Sequence, residues 1–169
     1  MVSLSPPIST DLIDGLKAGD QIEISGRILC GRDTVLPKLV TLIQQKDSII
    51  KAIDLEGAVI FHTAVSPAGI GPTTSNKVEI EESIPVLASA GVRIHIGKGS
   101  VGTSTVHALK AHKSIFAVTP PVSALLSHRA ISQRVVGFEE EGMEALFELQ
   151  VQRLPAIVAV AHGHNIFKK

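Results

Sequence analysis

The chain of 169 residues has neither tryptophan nor tyrosine, and aromatics make up only 3% of it. It has little with which to stack nucleic-acid bases or anchor an aromatic interface. Lys plus Arg and Asp plus Glu both number 16. With no net charge, electrostatics give no reason to expect a nucleic acid or an acidic membrane as partner. The single cysteine, Cys30, rules out an internal disulfide and falls short of the three or four thiolates that an iron–sulfur cluster needs. Its ordinary reading is a small buried residue. No apolar run approaches the roughly 20 residues of a membrane helix. Residues 1–7 lack the basic and apolar regions of a signal peptide, so a cytoplasmic, soluble protein is the expectation.

What remains is globular in character. Hydrophobic residues make up 44% and charged residues 19%, enough to bury a core in one domain spanning 1–169. Residues 12–16 read as a short helix capped by Ser9, Thr10 or Asp11. Residues 21–25 and 27–30 read as two strands divided by Gly26. Residues 34–46 have helical spacing, with Pro37 tolerated in the first turn. Residues 57–62 have a buried-strand pattern, and residues 63–76 form a long Gly/Pro/Ser/Thr stretch without regular structure. A helix over 80–90 ends at Gly91. A strand over 92–96, a helix over 103–112, a strand over 114–118 and a helix over 120–126 follow. A short strand over 135–138, two further elements over 143–151 and 156–160, and a polar turn at His162-Gly163-His164 complete the pass. Strand–loop–helix units in the middle point to an α/β fold with parallel pairing.

Three loops that follow strands carry chemistry, and ligands of α/β sheets bind at that edge. Gly31-Arg32-Asp33 offers a guanidinium that can clamp a carboxylate, although an exposed Arg–Asp pair explains the same residues. Gly71-Pro72-Thr73-Thr74-Ser75-Asn76-Lys77 offers hydroxyls and backbone N–H groups for an anion, or simply caps the next helix. Ile96-Gly97-Lys98-Gly99-Ser100 lets the backbone approach a ligand beside a lysine. It lacks the spacing of a phosphate loop. Gly97, Gly99 and Gly102 match a dinucleotide fingerprint, but no acidic residue follows at the required distance. The seven histidines show no paired metal-ligand spacing, and structural or surface roles are expected for them.

Taken together, these loops resemble the β subunit of L-tartrate dehydratase and the C-terminal domain of class I fumarase. The resemblance runs over most of the chain. It is carried by Leu16-Lys17-Ala18-Gly19-Asp20, Ile24-Ser25-Gly26, Gly31-Arg32-Asp33, Gly71-Pro72-Thr73-Thr74-Ser75, Gly97-Lys98-Gly99, Gly142-Met143-Glu144-Ala145-Leu146 and Leu154-Pro155-Ala156. It implies a swivelling β/β/α domain, with mixed sheet layers and helices on one side. It also implies a hydro-lyase that dehydrates a small 2-hydroxy dicarboxylate such as malate or tartrate. The 4Fe–4S cluster would be carried by a partner α subunit in a hetero-oligomer or dimer, with no metal ligand on this chain. Carried over residue by residue, Thr73 is the proton-abstracting base, and Arg32, Thr74, Lys77 and Lys98 bind substrate. The sequence departs from the family at Leu36, where a histidine is usual, at Lys77, where an arginine is usual, and at Ser100, where a glycine is usual. A non-catalytic or regulatory dicarboxylate-binding domain on the same scaffold is the alternative.

Overall fold

The computed structural model describes residues 1–120 and 126–168. From the N-terminus, β1 (Val2–Leu4) leads to α1 (Thr10–Asp14), where Ser9 caps the helix by accepting a hydrogen bond from the Leu12 N–H at 3.2 Å. The two strands expected on either side of Gly26 are one, β2 (Gln21–Gly31). Gly26 remains in register-shifted pairing with a φ of 123°, so it marks a bulge within the strand and not its end. α2 (Leu36–Gln44) starts with Pro37 in its first turn, as the spacing predicts, and α3 (Ile49–Ile53) follows.

The stretch over 63–76 holds more order than its composition predicts. β3 (Val59–Ser66) runs on past His62 and turns into β4 (Gly69–Thr73), which pairs with it antiparallel. α4 (Lys77–Ser89) begins earlier than expected, because Asn76 accepts from the Glu79 N–H at 3.3 Å and so closes the first turn. β5 (Ile94–Gly97), α5 (Thr103–Ala111) and β6 (Ile115–Val118) come next. The helix expected over 120–126 falls on 121–125, which lie outside the described residues.

β7 (Ala130–Gly137) is longer than the expected strand over 135–138, and the 3-10 turn Glu139–Glu144 follows it. The two elements expected over 143–151 and 156–160 are one strand of 16 residues, β8 (Leu146–Ala161). Pro155 lies inside it and does not interrupt it. A turn at His162-Gly163 reverses the chain into β9 (His164–Asn165).

β1, β2, β3, β5 and β6 run parallel, while β8 is antiparallel to both β6 and β2. The pairings therefore close on themselves: β2–β3–β5–β6–β8 and back to β2. Alternation along the strands divides the side chains between two faces. Ile24, Ile28, Cys30, Val59, Phe61, Ile94, Ile96 and Val158 fill the inside. On the outside, Leu29, Ile60 and Leu146 meet α2 and α4 through Leu36, Leu39 and Leu87. Phe116 and Val160 meet α4 and α5 through Ile80, Ile84 and Leu109. Each fully buried Ile or Leu contributes about 1.5–3 kcal/mol relative to exposure. The result is one mixed α/β domain, and these helices pack on the outer face of the sheet.

Candidate functional site

Because β2, β3, β5 and β6 are parallel, their C-terminal ends lie along one edge. The register sets Gly31 beside His62 and Phe61 beside Ile96. Arg32, the Thr73–Lys77 segment and Lys98 therefore all leave the sheet at that edge, the carboxyl edge at which parallel α/β sheets bind ligands.

The Thr73–Lys77 segment is fixed from below. Thr73 pairs across the hairpin with Thr63, whose hydroxyl donates to the Gly71 carbonyl at 2.8 Å. Thr74 is buried; its N–H donates to the His62 carbonyl at 2.9 Å, and its Oγ1 accepts from the Asn76 N–H at 3.1 Å. Lys77, the first residue of α4, reaches over the β5–α5 loop to within 3.4 Å of Ser100 Oγ. Ser75, Lys77, Glu81, Lys98 and Ser100 line a cavity of about 300 Å³. A second cavity of about 500 Å³ adjoins it and shares Lys77, Glu81 and Ser100. Of the sequence-derived candidates, these cavities gather Lys77 and Lys98. Neither Arg32 nor Thr73 is among their described lining residues.

Arg32 is engaged by Glu144. Its Nε donates to Glu144 Oε1 and Oε2 at 2.9 and 3.0 Å, and Nη2 donates to Oε1 at 2.5 Å. Asp33 Oδ1 stands 3.7 Å from Nε. Leu36, the first residue of α2, is fully buried in the core between that helix and the sheet, with its Cδ2 close against Gly31.

Three buried groups escaped the sequence reading. Glu79, in the first turn of α4, accepts from the Ser83 hydroxyl at 2.9 Å, while its Oε2 has no partner among the described residues. Burial raises its pKa to about 7 against the opposing Ser83 bond, and Asp33 and Glu82 push it the same way. His62 and His95 are both fully buried, with His62 Nε2 3.3 Å from His95 Nδ1. Burial lowers the pKa of His62 to about 4, and burial together with His62 holds that of His95 well below the ordinary histidine value. Asn76-Lys77-Val78-Glu79 carries a readable signal: Asn followed three residues later by Glu marks a helix start and places Glu79 in the first turn.

The residues of this chain do not fit an iron–sulfur cluster. Cys30 lies fully inside the sheet, where burial pushes its thiol pKa up and disfavours the thiolate that binds metal. No grouping of three His, Cys, Asp or Glu suited to a metal exists among the described residues.

The fold and its loops thus define an α/β domain with a lysine-lined pocket at the carboxyl edge of its parallel strands. The family model described as the fumarase C-terminus matches residues 1–169, and the chain belongs to that family. The chain is 28% identical over 176 residues to "L(+)-tartrate dehydratase subunit beta" of Escherichia coli (strain K12), covering 96% of this chain and 85% of that protein. It is 28% identical over 180 residues to "Putative fumarate hydratase class I" of Geobacillus stearothermophilus. That match covers 98% of this chain but only 33% of the relative, so the chain spans about a third of that protein's length.

Proposed function

We propose that the chain is the β subunit, or the equivalent domain, of a hydro-lyase that reversibly dehydrates a small 2-hydroxy dicarboxylate such as malate or tartrate. The observation that carries this reading is the convergence of Lys77 and Lys98 on one cavity at the carboxyl edge of the parallel strands. Each ammonium group can pair with one carboxylate, while Glu81 on the same wall is occupied by the Gly102 N–H and the Thr105 hydroxyl. As point charges they hold a diacid without the planar fork of arginine, so orientation falls to the lining hydroxyls of Ser75 and Ser100, while Thr74 is buried outside the lining and holds the segment in place. The names of the relatives support the same chemistry.

In this reading Thr73 takes the proton from the carbon next to the hydroxyl-bearing carbon, the C–O bond breaks as the hydroxyl leaves as water, and the C–H electron pair becomes the double bond between these two carbons. A threonine hydroxyl is a weak base, so this role depends on its surroundings. Arg32 contributes to carboxylate binding from the neighbouring loop, where a substrate carboxylate competes with Glu144. The 4Fe–4S cluster expected of such an enzyme is assigned to a cluster-bearing α subunit, since Cys30 cannot supply it. The domain then acts as a swivelling β/β/α cover within a cytoplasmic hetero-oligomer. No helix among the described residues is long and apolar enough to cross a membrane.

A second reading, a dicarboxylate-binding domain without turnover, is favoured by the pairing of Arg32 with Glu144 and by the burial of Leu36. Anaerobic co-expression with a candidate α subunit, cluster reconstitution and assay of malate, tartrate and fumarate interconversion separates the two. Turnover that is lost in Thr73→Ala and Lys98→Ala establishes the hydro-lyase. An intact, cluster-loaded assembly that turns over none of these acids leaves the binding domain.

A further inference from the structure

We propose that Glu81 is a positioning residue that sets the placement of Lys98 against Lys77 by tying the start of α5 to α4. The inference rests on the hydro-lyase reading of the cavity. Glu81 lies four residues after Lys77, on the same face of α4. Its Oε1 accepts from the Gly102 N–H at 2.5 Å, and its Oε2 accepts from the Thr105 hydroxyl. Gly102 is the N-cap of α5 and has no side chain with which to cap it. The carboxylate therefore arrives from another helix, at a terminus whose unpaired N–H groups and dipole favour an anion.

The consequence falls on Lys98. Its loop is pinned at one end by β5, where Gly97 pairs with Val118, and at the other by Glu81 through Gly102. Lys77 leaves α4 one turn before Glu81, so one carboxylate couples the mountings of both lysines. Glu81 also lines their cavity. There it adds a negative charge that opposes a dianionic ligand, so its presence favours a tethering role over a charge-supplying one.

The test uses Glu81→Ala, Glu81→Gln and Thr105→Val in the full chain, each assembled with its partner, with KM and kcat measured for the hydroxy diacid that is turned over. Glu81→Ala is expected to raise KM about ten- to a hundredfold while kcat stays within about threefold, the scale of losing a hydrogen bond between a lysine and a substrate carboxylate. Amide exchange at Gly102 should quicken about tenfold, matching the loss of a hydrogen bond to a charged group. Glu81→Gln keeps an acceptor for Gly102 and should restore most of KM. Thr105→Val should raise KM a few-fold, and it carries the test together with Glu81→Gln if Glu81→Ala does not fold. A KM that is unchanged or lower in Glu81→Ala, equal losses in Glu81→Ala and Glu81→Gln, or unaltered Gly102 exchange would each overturn the proposal. A wild-type assembly without turnover defeats the hydro-lyase reading instead, and Gly102 exchange then decides whether Glu81 holds the loop.

Discussion

His62 Nε2 stands 3.3 Å from His95 Nδ1, with both rings fully buried beneath the loop that carries Thr73 and Thr74. One ring donates and the other accepts, so the contact suits two neutral imidazoles and not two cations. Both pKa values are held below the ordinary histidine value by burial, that of His62 at about 4. The unfolded chain takes up protons near pH 6.5, and the folded chain does so only much lower. Stability is therefore lost as pH falls through that window, by about 1.4 kcal/mol per pH unit for each histidine. Urea-unfolding midpoints between pH 7 and pH 4.5 should show this slope, and His95→Leu should make it shallower. An equal slope in His95→Leu would refute the assignment.

Glu79 has the opposite sign. Its folded pKa of about 7 lies above the ordinary glutamate value, so the folded chain keeps a proton that the unfolded chain has released. Stability is full at low pH and declines as pH rises towards 7. Glu79→Gln keeps the shape and removes the charge. It should gain on the wild type by on the order of 2–3 kcal/mol between pH 5 and pH 8.5. Because the histidines oppose this slope in the parent chain, the difference between the two midpoints is the quantity to measure. A difference that does not change with pH would show that Glu79 stays in one protonation state.

Much of this architecture is legible in the sequence, and the failures have physical causes. The parallel strand–helix units read correctly because Ile94, Ile96, Ile115 and Ala117 carry a local apolar signal. β8 reads from the sequence as two elements, 143–151 and 156–160, and Pro155 lies in the gap between them, yet the pairing of β2 with β8 carries through it, with Glu23 opposite Pro155. The β3–β4 hairpin was hidden in a Gly/Pro/Ser/Thr stretch, whose pairing depends on β3 already standing beside it. Lys77 and Lys98 could be proposed from their loops. The part of Glu81 could not, because its partners Gly102 and Thr105 lie on another helix and no periodicity connects them.

Gly57 and Gly19 offer a controlled comparison, since both have positive φ, 73° and 97°. A Cβ on Gly19 would meet nothing within 4 Å, whereas one on Gly57 would lie 2.8 Å from the Ile8 nitrogen and 3.0 Å from the Ile8 oxygen. The Gly57 carbonyl also accepts from the Ile8 N–H at 2.8 Å, so the lead-in segment has no room to retreat without losing that bond. Gly19→Ala should cost about 1 kcal/mol, the strain of a left-handed alanine. Gly57→Ala should cost more than about 3 kcal/mol, because backbone must move as well. Thermal midpoints of the two variants check this, and equal losses would contradict the crowding at Gly57.

The lysine pocket makes the last prediction. Lys77 and Lys98 line one cavity, so removing either should weaken a dicarboxylate by about 1.5–3 kcal/mol, roughly a ten- to hundredfold rise in KM, the range for a hydrogen bond to a charged group. Residues sharing one ligand do not act independently, so the Lys77→Ala, Lys98→Ala double variant should depart from the sum of the single losses. Lys77→Arg keeps the charge and adds a planar fork that grips a carboxylate at two points, so it should hold KM near or below the wild-type value. Both single variants should also flatten the dependence of KM on ionic strength, since each removes an attraction that salt screens. KM values for malate or tartrate at low and high salt test all of this. Additive losses with an unchanged salt dependence would mean that the two ammonium groups serve separate sites.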